Sequence, residues 1–424
     1  MIHTLLKRFV PQSLKNIYHL SGAAVASVFF GFPGRKLRVI GVTGTDGKTT
    51  TVQCIAAILR EAGKKVAVAS TINFRVGDRE WVNTSKFTTL SGWKVQKFLR
   101  EAVSAGCEFA VLEVSSHALD QGRVFGIPFE VAVITNVTRE HLDYHGTMEE
   151  YRRAKRRLFD CATIGVVNLD MEDSEEFLST PPLKHVTYSR VDASADVLAE
   201  NISVTLAESV FRLGETEFHL ALPGLFNIEN ALAAVAATVS CGISYDIAAR
   251  ALSRVRGVPG RMERVANNKG ITILVDYAVT PNALESLYRL VSDMKSSSKE
   301  KVIAVFGACG DRDRGKRPLM GEIVSSHADL IVLTNEDPYT EDPERIVREI
   351  RVGITNKTLN ENLFIIMDRR AAIAEALELA MPGDIVVITG KGAEETMAIG
   401  SRRIPWNDKR VIEELLRERE SVGN

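Results

Sequence analysis

A glycine-rich stretch near the start of the chain has the residue types needed to bind phosphate groups. Residues 41–51 read GVTGTDGKTTT, follow an apolar run and precede an apolar pattern of helical spacing. In a strand–loop–helix of this kind, glycines let backbone N–H groups face a phosphate, and the helix N-terminus adds partial positive charge. Lys48 adds a full charge, and the hydroxyl of Thr49 can bind magnesium. The stretch therefore predicts an enzyme that uses a nucleoside triphosphate.

The spacing of this loop departs from the usual phosphate-binding motif. Val42 occupies the position of the first motif glycine, Gly41 lies one residue earlier, and Gly44 lies inside the loop. The alternative is an ordinary turn before a helix. Because the strand and the helix lie on the correct sides of the loop, a phosphate loop is the favoured interpretation.

Three further polar groups in this half of the chain could act beside a bound phosphate. Glu113 ends an apolar run, and residues 135–145 (TNVTREHLDYH) contain two histidines and two acids. A carboxylate at a strand end can hold magnesium, and histidines there can bind metal or phosphate. Residues 151–157 (YRRAKRR) are either a solvated basic helix face or the source of a lysine that works beside a metal. Each group also has a plain structural interpretation, as a strand-end acid, a structural histidine or an exposed helix face.

The alternation of apolar runs predicts an α/β protein with two domains after a short N-terminal segment. Strands are expected at 39–43, 66–72, 109–114, 131–137 and 164–170, in a mainly parallel sheet of a phosphate-loop domain. Antiparallel strands are expected between 202 and 222, and helices at 228–240 and 245–255. Residues 257–261 (GVPGR) predict a linker. A smaller, Rossmann-like α/β domain follows, with strands at 271–277, 302–306, 330–334, 363–367 and 385–389. The predicted domains are 1–36, 37–260 and 261–424.

The second domain has charged residues after three successive predicted strands. These are residues 307–317 (GACGDRDRGKR), 335–338 (NEDP) and 390–394 (GKGAE). Because ligands of open α/β sheets bind at the carboxyl ends of the strands, these segments predict a pocket for a charged ligand. A domain that binds a triphosphate and a domain with a charged pocket suggest a two-step reaction. A carboxylate is phosphorylated to an acyl phosphate, and an amine then displaces the phosphate.

Composition places the protein in an ordinary soluble class. The 424 residues carry a formal net charge of −1, and 45% are hydrophobic, so a nucleic-acid-binding basic face is not expected. The five cysteines form no paired motif and predict free thiols in a reducing cytoplasm. Residues 17–32 are mostly apolar, with Lys7, Arg8 and Lys15 before them. They predict a helix packed on the protein body, and a helix lying on a membrane is the alternative.

The ordered motifs of the chain resemble those of the Mur ligase family, most closely the MurE branch. The resemblance runs from about residue 36 to 418 and rests on GTDGKTT, EVSSH, TNVTREHLDYHG, FNIEN, GRME, DYAVTP, GDRDRGKRP and GKG. It implies an ATP- and Mg²⁺-dependent ligase that adds an amino acid to a UDP-linked muramoyl dipeptide during cell-wall precursor synthesis. The expected location is the cytoplasm, with attachment to the inner face of the membrane as the alternative. The expected oligomeric state is a monomer.

The resemblance also implies roles for particular residues. The catalytic set is Lys48, His141 and Lys155, of which Lys155 matches the family lysine that forms a carbamate. The ATP site comprises Gly44, Thr45, Asp46, Gly47, Lys48, Thr49, Thr50, Asn227, Asn230 and Arg261. The metal ligands are Thr49, Glu113, His141 and Lys155. The substrate contacts are Thr88, Thr89, Ser115, Gln121 and Arg123 for the uridine nucleotide, and Arg312, Glu336, Asp337, Gly390 and Glu394 for the amino acid.

Several departures from the family pattern affect the substrates. About forty residues precede the phosphate loop, where typical members have a UDP-binding domain, so the carrier is either UDP held in another way or a lipid. Members that take meso-diaminopimelate have Asp-Asn-Pro-Arg where this chain has Glu-Asp-Pro-Tyr339. Without that arginine the distal carboxylate has no bidentate partner, which favours L-lysine or another diamino acid. Phe87, Val279 and Ala393 also replace family residues.

Two other functions are compatible with the sequence. One is a related ligase of the folylpolyglutamate synthase or cyanophycin synthetase type. The other is a noncatalytic phosphate-loop protein that docks on a membrane or a partner through residues 1–36.

Overall fold

The computed structural model describes residues 11–85, 87–179, 181, 184–205, 207–400 and 402–422. The chain forms two compact units. One holds the residues up to Val137 together with Thr147–Arg256, and the other holds Thr138–Gly146 together with the residues from Gly257 onward. The short segment Thr138–Gly146 is thus grouped with the second unit, although the chain on both sides of it belongs to the first.

The first unit is built on a mainly parallel sheet of nine described strands, in the order β4-β3-β2-β5-β1-β6-β7-β8-β9. Strands β1 and β5–β8 are parallel, and β3 and β4 add an antiparallel hairpin at one edge. The central strands are apolar and buried because helices cover both faces of such a sheet. The strands are β1 (Arg38–Thr43), β2 (Val66–Ala69), β3 (Asn73–Val76), β4 (Arg79–Val82), β5 (Phe109–Glu113), β6 (Phe129–Ile134), β7 (Ala162–Asn168), β8 (Lys184–Ser189) and β9 (Val197–Leu198).

Helices of the first unit follow the carboxyl ends of these strands or cover the sheet. The longest are α1 (Gln12–Phe29), α2 (Lys48–Glu61), α3 (Gly92–Ser104) and α8 (Leu225–Val239), and the shorter ones are α4 (Ser116–Asp120), α6 (Met148–Arg156), α7 (Ser174–Leu178) and α9 (Tyr245–Ser253). Helix α8 is buried along most of its length and lies against α2. A separate antiparallel sheet holds β10 (Glu200–Val204), β11 (Ser209–Leu213) and β12 (Thr216–Leu220).

The second unit is a smaller α/β fold. In its described residues the main sheet has the order β13-β14-β18-β15-β16-β17, parallel except for β13. Its strands are β13 (Glu263–Arg264), β14 (Thr272–Asp276), β15 (Val302–Phe306), β16 (Leu330–Leu333), β17 (Leu363–Ile365) and β18 (Ile385–Thr389), followed by the hairpin β19 (Thr396–Ile399) and β20 (Arg402–Pro405). The helices are α5 (Leu142–His145), α10 (Pro281–Asp293), α11 (Lys316–His327), α12 (Pro343–Arg351), α13 (Arg369–Leu379) and α14 (Asp408–Val422). The predicted α/β fold class is confirmed for both units.

Two details of the sheet differ from the sequence-based prediction. The strand expected at 66–72 ends at Ala69, because the Ser70 backbone N–H and hydroxyl both bond the Asn73 carbonyl and turn the chain back into β3. The hairpin β3–β4 was not predicted, since its alternation is short and its side chains are half-exposed.

The N-terminal apolar segment forms the helix that the sequence predicts. Helix α1 covers Gln12–Phe29, so Phe30 and Phe32 lie beyond its end, and Lys7 and Arg8 lie outside the described residues. The helix packs against α3. No helix among the described residues has both the length and the apolar character needed to cross a membrane.

Candidate active site

The loop between β1 and α2 adopts a conformation that only glycine permits at two positions. Gly44 and Gly47 have φ angles of +147° and +82°. A Cβ atom at Gly44 would lie 1.8 Å from the Thr135 hydroxyl oxygen, and one at Gly47 would lie 2.1 Å from Asn230 Oδ1. The two glycines therefore serve both the turn and the close approach of neighbouring side chains.

Residues just beyond β6 hold this loop in place. The backbone N–H of Thr45 donates to the Asn136 carbonyl (2.9 Å), and that of Asp46 donates to Asn136 Oδ1 (2.9 Å). The Thr135 hydroxyl donates to the Asp46 carbonyl at 2.6 Å. The sequence pointed to residues 135–145 for their histidines, and it did not predict that Thr135 and Asn136 would fix the loop.

Two lysine ammonium groups meet at one carbonyl oxygen of the loop. Lys48 Nζ donates to the carbonyls of Thr45 (2.7 Å) and Gly44 (3.1 Å). Lys155 Nζ, which lies on α6, donates to the same Gly44 carbonyl at 2.6 Å. The Lys155 side chain is buried and lies 4.2 Å from the centre of the Tyr151 ring. Two cations beside a glycine loop at a helix N-terminus make a strong site for an anion.

A buried carboxylate lies beside the first turn of α2. Glu113 accepts hydrogen bonds from the Thr49 hydroxyl (3.1 and 3.2 Å) and from the backbone N–H and hydroxyl of Thr71 (both 2.8 Å). A carboxylate and a threonine hydroxyl are oxygen ligands that suit a hard cation such as Mg²⁺. Thr71 was not predicted; its position directly after a strand end was the available signal.

The described residues contain no cluster of three or more His, Cys, Asp or Glu side chains that could hold a metal ion. In the first unit, the predicted ligands Thr49 and Glu113 are in contact, and Lys155 lies at the adjacent loop. The fourth predicted ligand, His141, lies in Thr138–Gly146 and so belongs to the second unit. The oxygen pair of Thr49 and Glu113 fits magnesium, provided that the nucleotide or a modified Lys155 supplies further oxygens.

Asn227 and Asn230, two residues of the predicted ATP site, lie on α8 next to the loop. Asn230 Nδ2 donates to Asn227 Oδ1 (3.4 Å), and Asn227 Nδ2 donates to the Pro223 carbonyl (2.8 Å). Both side chains are buried, as is Thr50 on α2. Arg261, the other residue expected at the nucleotide, lies in the second unit with its guanidinium carbon 4.6 Å from the centre of the Tyr277 ring.

Four of the five residues predicted to bind the uridine-linked substrate, Thr89, Ser115, Gln121 and Arg123, form one hydrogen-bonded group. The Thr89 hydroxyl donates to the Glu113 carbonyl (3.0 Å) and accepts from the Ser115 backbone N–H (2.9 Å). Arg123 donates to the Thr89 carbonyl (3.1 Å) and to Gln121 Oε1 (2.7 Å). The remaining residue, Thr88, contacts the Thr71 hydroxyl at 3.1 Å. Thr89 thus joins this group to the backbone of Glu113, and Thr71 joins Thr88 to the Glu113 carboxylate.

In the second unit, the segment Thr138–Gly146 is held by a buried ion pair. Lys316 Nζ donates to both carboxylate oxygens of Glu140 (2.8 and 3.0 Å) and to the Val279 carbonyl (2.9 Å). Both side chains are less than one-tenth exposed. His141 follows directly, in a left-handed conformation with φ +57°. This pair therefore fixes the backbone that carries His141.

The glycine-rich turn after β15 is organised around a fully buried arginine. Arg317 donates to both oxygens of Glu341 (2.9 and 3.1 Å), to Glu349 (2.6 Å) and to the Cys309 carbonyl (3.1 Å). Hydrogen bonding from Arg317 lowers the pKa of Glu341 to about 2. The basic residues of this turn therefore divide into structural members, such as Arg317, and members closer to the pocket, such as Arg312.

The predicted amino-acid residues lie together in the second unit. Lys391 is fully buried, donates to Asp337 Oδ2 (3.0 Å) and also bonds the Glu394 carboxylate, so it neutralises two of the acids. Glu336 is buried as well and accepts from the Cys309 thiol at 2.9 Å. Burial raises the pKa of Glu336.

Only one of the two carboxylate oxygens of Glu336 accepts a hydrogen bond within the described residues. Its Oε2 atom has no hydrogen-bond partner among the described residues, and it faces Gly390, where an added Cβ would lie 2.4 Å away. Arg312 lies with its guanidinium carbon 5.5 Å from the centre of the Tyr339 ring. This part of the second unit thus combines an incompletely bonded carboxylate, a cation and an aromatic ring.

The sequence of this chain is similar to sequences of known proteins. The sequence matches the Mur ligase middle domain over residues 42–238 and the Mur ligase glutamate ligase domain over residues 260–392. A UDP-N-acetylmuramyl-tripeptide synthetase of Roseiflexus sp. (strain RS-1) is 42% identical over 420 residues, covering 93% of this chain and 82% of the relative. A UDP-N-acetylmuramoyl-L-alanyl-D-glutamate–2,6-diaminopimelate ligase of Geobacillus kaustophilus is 40% identical over 425 residues, covering 97% and 85%.

Solved structures give the same result for the fold. A UDP-N-acetylmuramoyl-L-alanyl-D-glutamate–2,6-diaminopimelate ligase, 35% identical, matches with a TM-score of 0.61 over 91% of this chain and 79% of its own. A folylpolyglutamate synthase of Mycobacterium tuberculosis matches with a TM-score of 0.70 over 88% and 92%, and its 18% identity supports the fold alone. Together with the sequence matches, these findings show that the chain belongs to the Mur ligase family, whose members are ATP-dependent acid–amino-acid ligases.

Proposed function

We propose that this ligase joins a diamino acid to the free carboxylate of a muramoyl dipeptide in cell-wall precursor synthesis. The family supplies the coarser statement, an ATP-dependent, MurE-like peptidoglycan precursor ligase. The observation that carries the proposal is the meeting of Lys48 and Lys155 at the Gly44 carbonyl, beside the Thr49–Glu113 pair. These are four of the residues on which the family resemblance places the chemistry.

In the first step, the dipeptide carboxylate attacks the γ-phosphorus of ATP. The bond from that phosphorus to the bridging oxygen breaks, ADP leaves, and an acyl phosphate forms. Lys48 would turn from the Thr45 and Gly44 carbonyls toward the phosphates and balance the charge that develops on the transferred group. The backbone N–H groups of the loop and the N-terminus of α2 orient the phosphates.

Magnesium would be held by Thr49 and Glu113, with oxygens of a carbamate on Lys155 as further ligands. Its chemistry there would be to neutralise phosphate charge. The Glu113 carboxylate is already held in one orientation, because the backbone N–H and the hydroxyl of Thr71 each donate a hydrogen bond to it. A carbamate on Lys155 would form by reaction of its side-chain amine with carbon dioxide.

In the second step, an amine of the incoming amino acid attacks the acyl carbon and phosphate leaves. We propose that Arg312 holds the α-carboxylate of the amino acid. The free Oε2 of Glu336 would accept a hydrogen bond from the side-chain ammonium group. Tyr339 offers no charge to a distal carboxylate, which favours L-lysine or another diamino acid over meso-diaminopimelate. The relatives whose names specify diaminopimelate are therefore expected to differ from this chain at this position.

The carrier of the dipeptide would extend from the group formed by Thr88, Thr89, Ser115, Gln121 and Arg123. Arg123 supplies a cation, and its guanidinium carbon lies 6.0 Å from the centre of the exposed Phe87 ring. An arginine and an aromatic ring can bind a diphosphate and a base, so a UDP carrier is compatible with this group. A lipid-linked carrier presents the same diphosphate without the base.

One experiment tests the proposal directly. The protein is incubated with ATP, magnesium, UDP-muramoyl dipeptide and an equimolar pool of amino acids, and the product is identified by mass. We expect a mass increase equal to one diamino acid less water, together with one phosphate released per product. ATP-dependent product with a different amino acid would contradict the pocket assignment. No product with either a UDP-linked or a lipid-linked dipeptide would contradict the function.

A further inference from the structure

The outward face of helix α1 is apolar along most of its length. Six large side chains spaced three, four or seven residues apart fall on one side of the helix, and their exposed fractions range from 55% to 76%. We call this set the apolar stripe, and it consists of Leu14, Ile17, Tyr18, Val25, Val28 and Phe29. In the part of the chain that the structure describes, no element covers it.

The opposite face of the helix fixes the stripe in its outward orientation. Ala23, Ala26 and Ser27 are fully buried, and Gly92 of α3 comes so close that an added Cβ would lie 2.4 Å from Ala23 Cβ. The Ser27 hydroxyl contacts the Phe125 carbonyl at 3.0 Å. Because small residues and a hydrogen bond hold this face, the helix cannot turn its stripe inward without losing these contacts.

The apolar surface continues onto helix α3. The ring of Trp93, which is 43% exposed, lies 5.2 Å from the ring of Phe29 and 5.3 Å from that of Phe30, measured between centroids. An aromatic cluster at the edge of an apolar stripe is typical of side chains that sit at the boundary between lipid and water.

The N-terminal part of the chain, which contains the stripe, has a net positive charge, whereas the whole protein is close to neutral. The first 45 residues contain six Lys or Arg residues and no Asp or Glu, whereas the whole chain has a net charge of −1. Arg35 and Lys36 are exposed just beyond α1, and α3 exposes Lys94, Lys97 and Arg100. The exposed apolar stripe is therefore flanked mainly by cations, and the exposed acid of α3, Glu101, lies 3.9 Å from Lys97.

We propose that the apolar stripe docks this ligase on an anionic lipid surface, with α1 lying in the plane of the interface. Apolar side chains would enter the boundary of the acyl chains, and the flanking cations would pair with anionic headgroups. A second copy of the chain fits less well, since a symmetric contact through the stripe would bring identical basic residues together. The inference concerns where the enzyme acts and does not depend on which amino acid it adds.

The test compares three variants of the full-length protein in vesicle sedimentation. The stripe variant carries Tyr18→Gln, Val25→Gln and Val28→Gln, and the basic variant carries Lys36→Gln, Lys94→Gln and Lys97→Gln. The control carries Val191→Gln, Val352→Gln and Met381→Gln, which are equally exposed apolar positions elsewhere. Each protein is mixed with vesicles of phosphatidylcholine alone or of phosphatidylcholine and phosphatidylglycerol in equal parts. Circular dichroism and ATP-dependent ligation of a soluble substrate monitor folding.

We expect wild type and control to bind the anionic vesicles about tenfold more strongly than the neutral ones. The stripe variant should lose at least about tenfold in binding, and the basic variant should lose its preference for anionic lipid. Equal binding by stripe variant and control, no binding by wild type, or equal binding of wild type to both vesicle types would overturn the proposal. A dimer that the stripe variant abolishes, seen by light scattering without vesicle binding, would assign the stripe to a second copy instead.

Discussion

The phosphate loop of the first unit and the charged cluster at the strand ends of the second unit hold their charged groups in different ways. In the loop, Lys48 and Lys155 are held by backbone carbonyls, and two glycines allow Thr135 and Asn230 to approach closely. In the second unit, Lys391 and Arg317 are each held by two carboxylates. A site fixed by the backbone tolerates few substitutions, whereas a site fixed by side-chain charges can change its ligand through one residue.

The largest effect is expected from Lys48→Ala. Removal of this ammonium leaves the charge on the transferred phosphoryl group uncompensated, and we expect kcat to fall about 1,000-fold. The rate of phosphate release in the presence of both substrates measures kcat. The matched control is Lys299→Ala, which removes an exposed lysine of the second unit. Near-normal turnover by the Lys48 variant would show that the phosphates bind elsewhere.

Substitutions at Lys155 separate two roles for the second ammonium group. If a carbamate forms on Lys155, then Lys155→Ala should lose about 100-fold in activity. Lys155→Glu should retain more, because a carboxylate replaces part of the carbamate. Lys155→Arg keeps the positive charge and cannot form the carbamate, so it should resemble the alanine variant. Higher activity for arginine than for glutamate would assign Lys155 a role as a cation, and equal activity for wild type and alanine would exclude any role.

Gly47→Ala tests how strictly the backbone determines the loop. The new methyl group would meet Asn230 Oδ1 and would also force a positive φ on alanine, so we expect a loss of about 2–3 kcal/mol in the free energy of unfolding and weaker nucleotide binding. Gly63→Ala is the control, because Gly63 has φ +75° with no neighbouring atom within 4 Å. It should lose only about 1 kcal/mol. Equal losses for both variants would mean that the contact with Asn230 is unimportant.

The charge pairs of the second unit predict a dependence of stability on pH. Arg317 lowers the pKa of Glu341 from 4.5 to about 2, so the stabilisation by this pair is present above the ordinary glutamate pKa and is lost as pH falls toward 2. Glu341→Gln should cost about 1–2 kcal/mol at pH 7 and almost nothing near pH 2. Denaturant unfolding at several pH values measures this loss of stability, and Glu344→Gln, at an exposed position, is the control. A cost that does not change with pH would contradict this electrostatic origin.

The smallest effect is expected at Tyr339. Arginine here would offer a bidentate partner to a distal carboxylate, so Tyr339→Arg should shift the ratio of kcat/KM for diaminopimelate and L-lysine about tenfold toward diaminopimelate. Tyr339→Phe keeps the ring without adding charge and should leave the ratio unchanged. An unchanged ratio in the arginine variant would place the distal end of the amino acid away from residue 339.

The sequence predicted most of what depends on local order along the chain. Strands at 302–306 and 385–389 appear with the expected bounds, because continuous apolar runs identify buried strands. The glycines of the phosphate loop were found for the same reason, since their spacing is local.

Features that depend on the packing of distant residues were not predicted. Thr71 reaches Glu113 because it follows the end of β2, and β2 pairs in parallel with β5, which ends at Glu113. The bond from the Cys309 thiol to Glu336 requires β15 and β16 to be neighbours. The strand order that creates these contacts has no local signature in the sequence.

The segment Thr138–Gly146 has a practical consequence for dissecting the enzyme. A fragment that begins at Gly257 would omit this segment and with it Glu140, the carboxylate that accompanies the buried Lys316 ammonium. Such a truncation would leave an uncompensated cation in the protein interior, which is costly. Recombinant expression of the C-terminal half should therefore succeed only when a peptide spanning the missing nine residues is grafted on or supplied in trans.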